Sequence, residues 1–162
     1  MFSRFRRAVE RLLELIVGVL LVAMVLVVVV GVVWRKAGHS LVWYDEVAAI
    51  MLAWLTYYGA ALAALKRSHI GFSGLVDAVH PPFRLILVII AEAFVFGFFI
   101  LLAWIGYQVL VVLEGDTLVS LPAVSVQITQ SVIPIGATLF VLAQALSLPE
   151  VWRRAMGRDV ST

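Results

Sequence analysis

Four stretches of the chain hold at most one charged residue each over lengths that would cross a bilayer: residues 12–34, 47–65, 85–113 and 122–147. A span needs roughly 20 apolar residues, because the hydrocarbon core is about 30 Å thick and a helix rises about 1.5 Å per residue. Backbone groups at that depth have no water to bond, so each run must close its hydrogen bonds internally as a helix. A soluble fold has nowhere to bury such runs. Hydrophobic residues make up 64% of the 162, and the mean hydropathy is +1.09, far from the composition of a soluble domain. The chain reads as one all-α integral membrane domain with four transmembrane helices. The apolar run from Leu118 exceeds a span, and Pro122 suits the first turn of a helix, so the fourth span is expected to start there.

Orientation follows from the lysines and arginines near the spans. Arg4, Arg6, Arg7 and Arg11 precede the first span; Lys66, Arg67 and Arg84 lie between the second and third; Arg153, Arg154 and Arg158 follow the fourth. The opposite side has only Arg35 and Lys36. This bias implies that both termini are cytoplasmic. The net charge of +2 reflects topology, and nothing in the pattern points to nucleic acid. Residues 1–15, "MFSRFRRAVERLLEL", set Phe2, Phe5, Val9 and Leu12 against Arg4, Arg7, Arg11 and Glu14. That is a basic amphipathic lead-in, expected to lie at the membrane interface before the chain enters the bilayer. The apolar run after it is too long for the core of a signal peptide, and "VVWRKAG" offers no small-residue cleavage site, so a retained helix is expected.

The second span has more character than the first. Asp45 and Glu46 precede nineteen uncharged residues, which Lys66 and Arg67 close. At 100° per residue, Ala49, Ala53, Tyr57, Ala60 and Ala64 fall on the side of Glu46, and Met51, Leu55, Leu62 and Leu65 fall opposite. Small residues let helix backbones approach closely in lipid, so the alanine face is expected to meet protein and the bulky face to lie elsewhere. Trp43 and Tyr44 sit at the outer end as an aromatic belt would. Ile70, Phe72, Leu75, Val76 and Val79 then form an interfacial segment ending at Pro81-Pro82.

Glu92 is the one acid deep within a span, where a carboxyl group requires a partner or an aqueous cavity. It can serve as a proton or cation site, or as a hydrogen-bonded packing acid. In the fourth span Gln127, Gln130, Ser131, Pro134 and Thr138 share a face, which suits a subunit contact or a passage. The chain has no cysteine, its histidines (His39, His69, His80) lie outside the spans, and no phosphate loop or dinucleotide fingerprint occurs. No cofactor, metal or catalytic group is expected. No internal repeat is visible either, and a self-sufficient repeat transporter would show one.

Trp43, Asp45-Glu46, Trp54-Leu55, Gly59-Ala60 and His69-Ile70, followed later by "VIPIGATL" with Pro134 and Gly136, resemble the small membrane subunit of tripartite ATP-independent periplasmic (TRAP) transporters, the DctQ-like family. Lys66-Arg67-Ser68 departs from that pattern, in which the turn often holds a glycine or an acid. The resemblance implies two partners: a large DctM-like membrane subunit carrying substrate and sodium sites, and a periplasmic protein that binds an organic anion. The small subunit is then a static scaffold in membrane lipid. Trp43, Asp45, Glu46, the alanine face, Glu92 and the polar stripe become candidate subunit contacts, with Arg35, Lys36, Glu114 and Asp116 as the periplasmic docking edge. Two other readings stay open. One is an autonomous proton-coupled small-molecule exporter of four helices, although such proteins keep an essential glutamate in a first helix that here has none at depth. The other is an anchor or assembly subunit of a membrane enzyme.

Overall fold

The computed structural model describes residues 2–66 and 81–155. The expected interfacial segment, with His69 and His80, lies outside the described residues. The described chain forms α1 (Phe2–Lys36), α2 (Tyr44–Lys66), α3 (Pro81–Val112), α4 (Val126–Gln130) and α5 (Val132–Ala155). Four segments are long and apolar enough to cross a membrane: α1, α2, α3, and α4 with α5 taken together.

The spans stand in a row. α2 packs between α1 and α5, and α5 packs in turn against α3. Neighbours α1 and α2 run antiparallel: Arg35 meets Asp45 at one end, and Glu14 meets Lys66 at the other. α2 and α5 run parallel, whereas α3 and α5 are antiparallel, with Leu110 beside Gln127 and Glu92 beside Gln144. The core sits where the middle helices meet, built from Tyr58, Ala61, Ala64 and Leu65 of α2 with Val132, Phe140 and Ala143 of α5, and Leu13 of α1. Phe99 of α3 stacks on Phe140 with ring centres 3.6 Å apart. The flanking helices leave Val22, Leu26, Phe94 and Phe98 uncovered, the side chains that acyl chains would surround in a bilayer.

Three features differ from the sequence-based expectations. First, the basic lead-in and the first span form one unbroken helix, with no turn at the interface. Its first turns are held along the end of α2: Arg6 donates to the Leu65 carbonyl at 3.0 Å, and Lys66 pairs with both Glu10 and Glu14. α1 ends where Gly38, at φ +85°, lets the N–H groups of Gly38 and His39 reach back to the carbonyls of Arg35 and Trp34, a turn that L side chains adopt at a cost.

Second, α2 has two packed sides. Ala64 is buried, and Ala53, Tyr57 and Ala60 pack against this chain's own core, but Ala49 is exposed. Leu62 also packs against the core, and Leu65 is fully buried. A helix with a neighbour on each side buries its bulky face as well as its small one.

Third, the last span begins at Val126 and not at Pro122. Pro122 lies in the tip of an outer hairpin over residues 113–125. The ends of that hairpin join through the Thr117–Ser125 bridge, the Leu118 N–H to the Val124 carbonyl at 3.0 Å, and the Val126 N–H to the Asp116 carbonyl at 3.0 Å. These bonds hold residues 122–125 out of a helix, and the Ser125 hydroxyl caps the true start by accepting the Gln127 N–H at 3.2 Å. The step between α4 and α5 falls at Ser131, three residues before Pro134. Proline has no N–H to give the carbonyl four residues earlier, here that of Gln130.

Glycines set how closely the row packs. A β-carbon on Gly136 would lie 2.6 Å from Cβ of Tyr57, and one on Gly106 would lie 2.8 Å from Cγ2 of Ile133 and 3.0 Å from Cδ of Pro134. Gly59, by contrast, has open space around it. Gly136→Ala is therefore expected to destabilise the protein by about 1–3 kcal/mol through overpacking. Gly59→Ala gains helix propensity without a clash and is expected to melt at or above the wild type. Thermal unfolding of both variants in one detergent checks the pair, and a Gly136→Ala protein as stable as the wild type would contradict the close contact.

Candidate functional site

The candidate contact residues fall into three tiers along the row. At the outer end, so called from the lysine and arginine bias, Asp45 and Glu46 occupy the first turn of α2. Acids there meet the partial positive charge of the helix N-terminus. Their side chains diverge. Glu46 turns to the hairpin, where Oε2 accepts the Ser120 N–H at 2.9 Å and also the Ser120 hydroxyl. Asp45 turns to α1 and pairs with Arg35 at 3.5 Å, in an exposed position where such a pair contributes little. Arg35 also donates to the Tyr44 hydroxyl and lies 5.1 Å from the centre of that ring. The Tyr44 ring fills the space where Gly31 lacks a side chain. Trp43, just before α2, is half-buried.

Of the expected docking charges, Arg35 is thus engaged within the chain. Lys36, Glu114 and Asp116 are exposed. All four lie at one end of the bundle, but at opposite flanks of the row: two at the end of α1 and two just after α3.

In the middle tier the polar stripe of the last span divides. Gln127 reaches across to α3, its Nε2 donating to the Leu110 carbonyl at 2.8 Å. Pro134 faces α3 at Gly106. Ser131 and Thr138 bond back into their own chain, to the carbonyls of Ile128 and Pro134, both at 2.7 Å, and Gln130 is half-buried. Toward α2, Trp54 donates its indole N–H to the Thr129 carbonyl at 3.1 Å. That carbonyl lies in the short helix before the proline step.

The inner tier holds the deep acid. Glu92 is half-buried, and its Oε2 accepts a hydrogen bond from Nε2 of Gln144 on α5 at 2.8 Å. The pair is a cross-link between two spans: an amide donor answers a carboxyl group in apolar surroundings. The same arrangement is what a hydrogen-bonded packing acid requires. Among the described residues no group of three or more His, Cys, Asp or Glu could hold a metal ion.

Gln144, Ser120, Gly106 and Gly136 complete these contacts and were not singled out as site residues by sequence. Gln144 had a signal, as an amide within an apolar helix where polar side chains seek partners. Gly136 had one in its place beside Pro134. Ser120 had none, since its role depends on how the hairpin folds back over α2.

The Glu92–Gln144 pair orders three proteins by stability. Glu92→Gln keeps the size and an acceptor, and is expected to cost no more than about 1 kcal/mol, near the average for interhelical hydrogen bonds in membranes. Gln144→Leu leaves the acid without its donor and is expected to cost more, about 1–3 kcal/mol. Melting in detergent checks the order, and a Gln144→Leu protein more stable than Glu92→Gln would reverse it.

The family described as tripartite ATP-independent periplasmic transporters, DctQ component, matches residues 24–154. No curated protein matches the chain. The matched region takes in about the last third of α1, all of α2 and α3, the outer hairpin, and the last span to within one residue of its end. It therefore contains the whole interlocked seam of α2, α5 and α3, and with it the Glu92–Gln144 pair and the Glu46–Ser120 contact. On that match the chain belongs to the DctQ component family of tripartite ATP-independent periplasmic transporters.

Proposed function

We propose that this chain is the static small membrane subunit of a sodium-coupled transporter that takes up organic anions across the bacterial inner membrane. In this reading it braces a large DctM-like transport subunit and helps a periplasmic substrate-binding protein to dock. The observation that carries the scaffold role is the seam through the row: Gly136 against Tyr57, Gly106 against Pro134, and Phe99 stacked on Phe140. Helices interlocked at backbone distance on both sides of α5 move as one body. Sites for substrate and sodium are then expected in the partner, with both termini of this chain in the cytoplasm and the hairpin in the periplasm.

The candidate contact residues sort accordingly. Ala49 and Thr138 are exposed and open to a partner. Ala64 is buried between this chain's own helices, so it serves the scaffold internally. The charged outer loops suit a docking edge, since charges at an interface rim act mainly on encounter rate and its salt dependence.

Two outcomes test this reading. Deleting the subunit is expected to abolish sodium-driven uptake, while calorimetry on the isolated chain shows no binding of substrate or sodium. Measurable substrate binding by the chain alone would favour an autonomous carrier. The second outcome concerns Lys36→Glu. It is expected to change the concentration of binding protein needed for half-maximal uptake into liposomes, upward and most clearly at low ionic strength. Sodium dependence stays as in the wild type. A requirement unchanged at every salt concentration would remove Lys36 from the docking edge.

A further inference from the structure

The outer hairpin has an inward and an outward side. Leu118 is buried, the neighbouring Val119 is 93% exposed, and Ser120 turns back to Glu46. Glu114 and Asp116, also exposed, stand on the same loop. The backbone bonds that close the hairpin join only its own two arms. Among the described residues, its hydrogen-bonded tie to α2 is the carboxylate of Glu46, which takes both the N–H and the hydroxyl of Ser120 on one oxygen. Hydrogen bonds to an ionised acceptor are about twice as strong as neutral ones, and here two of them arise from one residue.

We propose that Glu46 is a positioning residue: by holding Ser120 it fixes the hairpin over the start of α2, so that Val119, Glu114 and Asp116 meet the periplasmic binding protein as one preformed surface. The inference rests on the docking role proposed above. It moves Glu46 from a contact residue to one that acts through Ser120. A single apolar side chain beside two acids suits a basic patch with a small apolar depression on the partner. Without the carboxylate the closed hairpin is free to shift over the start of α2, and fixing its position at each encounter weakens docking.

The test uses the full transporter complex in liposomes with purified binding protein. Glu46→Ala removes both hydrogen bonds to Ser120 and is expected to raise the binding-protein concentration for half-maximal uptake about tenfold or more, with the maximal rate retained. Glu46→Gln keeps a neutral acceptor for Ser120 and is expected to restore part of the affinity, which a general loss of the acid's charge would not allow. Because the chain has no cysteine, spin labels can be placed singly at Val42→Cys and Val119→Cys, both on exposed positions. The distance between them is expected to be narrowly distributed in the otherwise wild-type complex and broad with Glu46→Ala. An unchanged distribution in Glu46→Ala overturns the positioning role. A broadened distribution with unchanged half-saturation overturns the claim that the hairpin meets the binding protein. Uptake by the wild-type complex without any binding protein would instead remove the docking reading on which the inference rests.

Discussion

The contact between α2 and α5 holds this bundle together. In lipid, apolar side chains gain nothing by leaving their surroundings for a neighbouring helix, so association depends on close fit and on hydrogen bonds. Gly136 lets the last span approach until a β-carbon there would collide with Tyr57. Trp54 adds a hydrogen bond to the Thr129 carbonyl in the same seam. Both outer helices attach through this pair, α1 to α2 and α3 to α5. A loss of fit at Gly136 therefore weakens the seam on which both halves of the row depend.

The polar residues at depth are largely engaged inside the chain. Glu92 and Gln144 bond to each other, Gln127 bonds to a carbonyl of α3, and Thr138 returns to its own helix. Each bond is modest, yet the two that cross between α3 and the last span select a register, because sliding one helix past the other by a turn breaks both at once. Pro134 contributes twice. It removes one helical hydrogen bond near Gln130, and its ring packs where Gly106 leaves room. The step in the last span and its tight approach to α3 share this cause.

Charge is used differently at the two ends. At the inner end Lys66 with Glu10 and Glu14 fastens α1 to α2, and Arg6 takes the Leu65 carbonyl at the last turn of α2. At the outer end the acids of α2 point in two directions, Asp45 to α1 and Glu46 to the hairpin. The row of helices is thus secured at both ends and interlocked in the middle.

Much of this was legible in the sequence because the bilayer imposes it. Four long apolar runs become helices, since a helix satisfies their backbones within the segment in lipid. The pattern Asp45-Glu46, Trp54, Gly59 and "VIPIGATL" also carried the family. Wherever a second segment decided the outcome, the chain alone was silent or misleading. Pro122 looked like a helix start until bonds between the arms of the hairpin drew it into a loop. Leu65 falls by periodicity on the face opposite the alanines, and it is buried because α2 has a neighbour on each side. Glu46 found Ser120, and Glu92 found Gln144, 74 and 52 residues away. Periodicity records which face of a helix is apolar, but the order of helices in the row determines what that face touches.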